Sequence, residues 1–375
     1  MAGYTGNLQE VLETITSMEK AEKFDFANKL IETESTGLNP LLTHPYFTGV
    51  RNGGEIPVLI NTANYGMFKS YDGCEMPQGT LADNWKKYKW IIGDIGEEVT
   101  ICTKDFEPSF NIFWNQWIKQ NEDDLELASL QHLKDLFQQS LLNAITRNIY
   151  YGDVDSSNAL INNTDGFIKQ MQLRAYAEPE KHLVVVSENS ATTVAGQKIT
   201  DGQRIYDLVV EANEKFTAIE GVDVSKGVIR MNSSLLQTLV NFLNRKSDLS
   251  QYDCGCINVD SITGARRFTI ENTTLLGYKV EAIDFDRIAV AAGSDWYKPA
   301  TGLYTEKNVI ILAEDTNMLI GIEIEETANQ TVFDFDKRKR EIYFQGFARF
   351  GAGVPTDKFV IALGAPEPTP EEGED

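Results

Sequence analysis

The sequence holds little of what most redox, metal and covalent chemistry requires. Its cysteines number four, Cys74, Cys102, Cys254 and Cys256, and its histidines three, His44, His132 and His182. Four unevenly placed thiols cannot staple a chain of 375 residues, which points to a reducing compartment. Cys254-Gly255-Cys256 has the wrong spacing for a zinc knuckle or a thioredoxin-type pair. No histidines stand in a spacing such as H-E-x-x-H, and His132 reads as a surface or packing residue of a long helix. There is no G-x-S-x-G, no Walker-type phosphate loop and no G-x-G-x-x-G. Gly351-Ala352-Gly353 follows a strand but opens no helix, so it reads as a turn. The expectation is therefore no catalytic residue, no cofactor and no metal. Carboxylates are abundant, and an unrecognised Asp/Glu pair stays open.

Basic charge is also scarce, with 34 Lys and Arg against 56 Asp and Glu and a formal net charge of -22. Gripping phosphates needs cations that displace counterions, so this balance argues against a nucleic-acid-binding surface. No run approaches the ~18 to 20 apolar residues of a membrane-spanning helix, and no charged-then-apolar leader opens the chain. The reading is a protein that stays in a cytoplasm-like medium, without a membrane. What the chain does have is a composition of 42% hydrophobic and 24% charged residues, enough to pack two or three units.

Along the chain, residues 8 to 31 show helical periodicity, followed by the loop-like TESTGLNPLLTHPYF. From 56 to 103 the text becomes strand-like, PVLINTA, then KYKWIIG and EEVTICT, around a tip rich in Gly, Pro, Asp and Asn near Tyr71 to Asp83. A hairpin is predicted. It carries Trp85, Tyr88 and Trp90 beside Lys86, more apolar surface than a free two-stranded arm buries alone. Next comes a helical stripe through Leu125, Ala128, Leu133, Phe137, Leu141, Ala144 and Asn148, a rod of about 27 residues and roughly 40 Å. It stops at Tyr150-Tyr151-Gly152-Asp153, where Gly152 is expected to leave the helix through a left-handed conformation.

Beyond the loop DVDSSNALINNTDG come a strand at 182–188, a helix over 201–216 with Asp201 as N-cap, and the strand GVIRMN. The helix SSLLQTLVNFL follows directly, with Ser233 or Ser234 as its cap. TTLLGYKVEAIDFD and RIAVAAG both read as strands, so 199 to 302 forms an α/β unit of its own. The remainder is strand and turn: NVIILAED, MLIGIEIEET, TVFDFD, EIYFQGFARFG and KFVIALG. In the fourth, Ile342, Phe344, Gly346, Ala348 and Phe350 alternate with Glu341, Tyr343, Gln345, Phe347 and Arg349. Lys337-Arg338-Lys339-Arg340, before it, is read as a solvated turn or a contact with an acidic neighbouring subunit. The tail APEPTPEEGED reads as disordered or surface-laid.

This order of elements resembles the major capsid protein of tailed bacteriophages, the Hong Kong 97 type fold. The resemblance is carried by the rod with its YYGD ending and NNTDGFI, by GVIRMNSSLLQTLVNFL, by TTLLGYKVEAIDF, and by EIYFQGFARFGAGVPTDKFVIAL with Arg349. It covers nearly the whole chain. It implies an α+β fold with an N-terminal arm (1–55), an extension-loop hairpin and first peripheral strand (56–103), a peripheral domain (104–198) with a spine helix at about 123–151, an axial domain (199–302), and a return to the peripheral domain with an acidic tail (303–375). The function implied is a shell of hexamers and pentamers enclosing double-stranded DNA without sequence-specific binding, assembled in the host cytoplasm and found in the virion.

Partners implied are copies of the chain itself with portal, scaffolding and decoration proteins. The subunit contacts expected are Tyr71, Trp85, Lys86, Tyr88, Trp90, Lys337, Arg338, Lys339, Arg340 and Arg349. Some relatives weld subunits by a Lys-Asn isopeptide bond with a Glu as base. Those positions are Arg340 and Phe347 here, so a non-covalent shell is expected. Only about 50 residues precede the hairpin, which favours a separate scaffolding protein. The alternatives are an encapsulin-like compartment shell and an uncharacterised α/β enzyme.

Overall fold

GVIRMN forms the strand Gly227–Asn232, buried at every residue. A strand covered on both faces must find ladder partners on both edges, and this one has them. It lies in a six-stranded mixed sheet of order Leu183–Val185, Phe359–Leu363, Ile310–Glu314, Gly227–Asn232, Tyr278–Ile283, Thr274–Leu275. The pairing to Ile310–Glu314 is antiparallel and that to Tyr278–Ile283 parallel. The computed structural model describes residues 44–59, 85–102, 139–245, 257–259, 266–268, 274–323, 332–336 and 341–366. These form two compact units, one drawn from 1–52, 92–146 and 320–351, the other from 53–91, 147–319 and 352–375.

The six-stranded sheet belongs to the second unit. On one face Ile229, Met231, Val280, Ile310, Leu312, Val360 and Ala362 share a core with helices Gly202–Ala218 and Ser233–Arg245. The first helix contributes Ile205, Leu208, Val209, Ala212 and Phe216, a single stripe at helical spacing. Asp201 caps it as expected, accepting from the Gln203 amide at 2.9 Å. The second buries Leu235, Leu236, Leu239, Val240 and Leu243, the face predicted. Its start differs from expectation, because Asn232 Oδ1 accepts from the Ser234 amide at 3.4 Å where Ser233 or Ser234 was expected to cap. The last residue of the strand thus turns the chain into the helix. Phe359, Ile361 and Leu363, alternating with Val360 and Ala362, are equally buried, and helix Phe167–Ala177 packs on their strand. The sheet takes strands from 183–185, 310–314 and 359–363 as well as from within 199–302.

Four other expectations are corrected. RIAVAAG is part of a helix, Phe285–Ala292, because Asp284 caps its start, Gly293 ends it at φ 89°, and Phe285, Ile288, Ala289 and Ala292 form a buried helical stripe. TTLLGYKVEAIDFD is a hairpin of two strands, since Leu276 and Gly277 both take positive φ and close a two-residue turn with right-handed strand twist. Gly351-Ala352-Gly353 continues the strand Glu341–Gly353, and the predicted strand over 182–188 shortens to Leu183–Val185.

In the first unit a five-stranded sheet runs in the order Tyr46–Thr48, Leu319–Ile322, Glu341–Gly353, Val332–Asp336, with Gly93–Cys102 also pairing Glu341–Gly353. The alternation read in EIYFQGFARFG holds where side chains are described: Gly346, Ala348 and Phe350 are buried, while Gln345 is exposed. Asp336 pairs with Glu341, so 337–340 connects two antiparallel strands. The predicted hairpin is present at its base as Glu55–Leu59 paired with Trp85–Lys89. Its tip, the arm at 8–31, the first half of the rod, three of the four cysteines, the basic run and the tail lie outside the described residues.

The rod is observed as helix over 139–151. Gly152 ends it for a different reason from the one expected, since it does not take a positive φ. Two backbones cross there. A Cβ on Gly152 would lie 2.1 Å from the Thr164 carbonyl oxygen and 2.5 Å from that of Asn148. Gly166 donates to the Gly152 carbonyl at 2.9 Å, and a Cβ on Gly166 would meet the Tyr150 carbonyl at 2.6 Å. The loop 153–166 folds back through Asp153 N to Ile161 O at 2.8 Å, and Arg147 and Asn148 hold the Leu160 carbonyl.

One side chain in the second sheet breaks the apolar pattern. Arg230 has no exposed surface, yet its neighbour in register is Glu281, whose Oε2 lies 2.8 Å from Arg230 Nε. Asp315 Oδ1 lies 2.6 Å from another guanidinium nitrogen, and Lys279 holds the second Glu281 oxygen at 2.8 Å. A guanidinium can be buried only with such partners, because desolvating it alone costs several kcal/mol.

Two predictions follow from this packing. Gly152→Ala should cost about 3 kcal/mol in urea denaturation because backbone must move, whereas Gly277→Ala, in open space at φ 84°, should cost about 1 to 2 kcal/mol. Equal losses would refute the crossing as the reason for Gly152. Arg230→Met alone should cost about 3 to 5 kcal/mol by stranding Glu281, and adding Glu281→Leu should recover most of it. A double variant no more stable than the single one would refute the pairing argument.

Candidate functional site

The chemistry-bearing residues are engaged in structure. His182 is buried, with Nδ1 2.9 Å from the Phe359 carbonyl oxygen and its ring stacked on Phe359 at 5.0 Å. His44 is buried in the other unit, and His132 lies outside the described residues. Among the described residues no group of three or more His, Cys, Asp or Glu could hold a metal ion, and no helix is long and apolar enough to cross a membrane. An open groove is lined by Glu178, Glu180, Lys181, Glu214, Lys215 and Asp357. Lys181 pairs there with Glu178, and Lys215 donates to the Leu183 carbonyl at 2.7 Å. Both lysines that line it are thus already engaged, and no nucleophile faces a base among the described residues.

The loop after the rod gathers acids without making a metal site. Asp153 Oδ2 holds Lys169 at 2.8 Å, and Asp165 Oδ1 accepts from the Val154 amide at 3.1 Å. Burial raises the Asp165 carboxyl above its ordinary value, with Asp153 and Asp155 adding repulsion. These groups fix the loop against the helix end.

A contact surface is the other kind of site, and here the predicted residues divide. Trp90 is wholly buried, so the subunit contact expected of it is corrected: a side chain without exposed surface offers nothing to a neighbour. It anchors the base of the two-stranded ribbon instead. Its backbone exchanges hydrogen bonds with Gly53 and Gly54 at 3.0 and 2.9 Å. The indole lies on the strand at Gly353, where a Cβ would come within 2.9 Å of the ring. Tyr88 packs edge-on against it, centroids 5.4 Å apart, and donates to Gln170 Oε1 at 3.3 Å. Burial pushes the Tyr88 hydroxyl up to about 12.

Arg349 is also held by its own chain, bidentate to Asp94 at 2.7 and 3.2 Å and to Glu323 at 3.1 Å. Those carboxylates hold its guanidinium above its ordinary value. Trp85 and Lys86 lie on the ribbon strand Trp85–Lys89. Tyr71, Lys337, Arg338, Lys339 and Arg340 lie outside the described residues.

Sequence reasoning missed the exposed aromatic pair Tyr46 and Phe47, 45% and 43% exposed on Tyr46–Thr48, the strand at the end of its sheet order. An edge strand with unpaired ladder groups and exposed rings is a ready contact element. The signal was present in HPYFTG, but the flanking Pro and Gly made it read as loop. Leu173, 57% exposed on helix Phe167–Ala177, was missed because helical periodicity there is weak.

No protein-family model matches the chain, and no curated protein matches it. Among solved structures, a chain from "Satellite phage P4 procapsid including size determination (Sid) protein" matches with a TM-score of 0.51 and 11% identity, covering 97% of this chain and 98% of that one. A chain of Mycobacterium phage Bobi matches at a TM-score of 0.43 and 11% identity, over 96% and 98%. One from "Capsid of native GTA particle computed with C5 symmetry" matches at 0.43 and 11%, over 89% and 92%. The fold, mixed helix and sheet among the described residues, is a phage capsid fold.

Proposed function

We propose that this chain is the major capsid protein of a tailed bacteriophage, whose copies assemble as hexamers and pentamers into an icosahedral shell around double-stranded DNA. The observation that carries the reading is the full-length likeness, at a TM-score of 0.51, to a chain of a phage procapsid. The role is structural and uses no cofactor. In this reading 1–55 is the arm, 56–103 the extension loop, 104–198 the peripheral domain with its spine helix, 199–302 the axial domain and 303–375 the return. Portal, scaffolding and decoration proteins are its partners, and the virion its place.

The chemistry of the surface supports this. A net charge of -22 suits a container that must not bind its contents, since like charges repel within the ~8 Å screening length. The ribbon is rooted by Trp90 and Tyr88, so residues beyond Leu59 and before Trp85 can serve a neighbour while the base stays fixed. Tyr71, Trp85 and Lys86 are the contacts proposed there, with Lys337 to Arg340 at the other hairpin and Tyr46 and Phe47 on the edge strand. Each buried 1,000 Å² of apolar surface contributes roughly 25 kcal/mol before association costs, so many modest contacts close a shell.

Purified chain should form closed megadalton particles in light scattering and electron microscopy, with nuclease-protected DNA in particles from infected cells. Deleting residues 70–84 should leave a folded subunit by circular dichroism that no longer closes particles. A small stable oligomer with turnover, or unchanged particles after the deletion, would overturn the reading.

A further inference from the structure

One carboxyl group in the second unit sits in a buried nest of amides. Glu306, between the strands Leu303–Tyr304 and Ile310–Glu314, is 5% exposed. Its Oε2 accepts from Asn189 Nδ2 at 2.5 Å and from the Gly364 amide at 2.8 Å. Asn189 Oδ1 accepts from the amide and side chain of Asn308 at 2.8 and 2.9 Å. Asn308 Nδ2 donates on to the Gln197 carbonyl at 2.8 Å, and Gln197 clasps the Tyr304 backbone at 2.7 and 3.0 Å. The network joins 187–190, 194–197, 304–308 and the end of the last strand, where Val186 also donates to Leu363 O at 2.8 Å.

Among the described residues no cation pairs with Glu306; only the hydrogen bonds from Asn189, Gly364 and Tyr176 favour its negative charge. Lys307, next in sequence, is held by Asp286, and Arg204 by Glu188. The titratable groups coupled to Glu306 are the phenols of Tyr176, which hydrogen-bonds to it, and Tyr151, neither of them a cation. Ionising a carboxyl in such a place carries a desolvation cost that those hydrogen bonds offset only in part.

We propose that Glu306 is a proton-operated latch on the end of the final strand. Protonated, it completes a neutral network that fastens Gly364. Ionised, it places a charge without a cation partner in the interior and loosens Leu363 and Gly364. Burial pushes the Glu306 carboxyl up to about 7, against the pull of its hydrogen bonds. The closed latch therefore holds a proton that the opened one releases. Its advantage is complete below the ordinary carboxylate value of 4.5 and is lost as pH rises to about 7.

The test is hydrogen exchange by mass spectrometry on the full chain at constant temperature, corrected for intrinsic rates. Protection of peptides over 302–309 and 361–366 should fall on the order of a hundredfold between pH 5 and pH 8 in the native chain. Glu306→Gln, which mimics the protonated acid, should hold that protection across the range. Equal pH profiles in the two proteins would overturn the latch. Should Glu306→Gln not fold, carbon-13 NMR of glutamate side-chain carboxyls in the native chain decides. A Glu306 titration between pH 6 and 8 sustains the latch, and one below pH 5 overturns it. Neither result depends on whether particles form.

Discussion

A sheet covered on both faces leaves no water for a polar side chain, and that constraint governs the second unit. Gly227–Asn232 sits in the middle of such a sheet, and every departure from its apolar pattern is met by a partner from elsewhere in the chain. Arg230 is met by Glu281 in register and by Asp315 from the turn after Ile310–Glu314. Asn232 reaches Asp286 at 2.7 Å and the Lys307 carbonyl at 3.2 Å. Removing any one member would leave the others desolvated, so these residues specify which segments meet. Glu306 is the exception in kind, since its partners are amides and phenols alone. A single proton decides whether it belongs there.

The same rule shapes the ribbon. Trp90 and Tyr88 are large enough to anchor two strands; the Tyr88 hydroxyl reaches Gln170 and the Ala352 carbonyl, while the Trp90 indole is held by packing and not by a hydrogen bond of its nitrogen among the described residues. The root of the ribbon is thereby part of the core. Apolar surface that remains outside is found instead at Tyr46, Phe47 and Leu173.

Much of the fold was legible in the text. The helix capped by Asp201, the helix bearing Leu235 to Leu243, the strand GVIRMN and the alternation ending at Phe350 are local patterns, and local patterns survive because tertiary contacts agree with them. RIAVAAG failed because the six small or apolar residues after Arg287 fit either period, and the decision came from Asp284 and Gly293 at its ends. The hairpin at Leu276-Gly277 was hidden because a leucine with positive φ carries no sequence signature. Of the candidate contacts, Trp90 read as exposed only because its cover, Gly353, lies some 260 residues away.

By itself the sequence determined periodicity, caps, acidity and the absence of catalytic motifs, because each depends on residue type and near neighbours. Tertiary structure alone decided which strands share a sheet, why Gly152 must be glycine, and which buried charges find partners. Those outcomes depend on close approaches between parts of the chain distant in sequence, such as Arg230 to Glu281 at 2.8 Å, and no spacing rule in one dimension encodes such an approach.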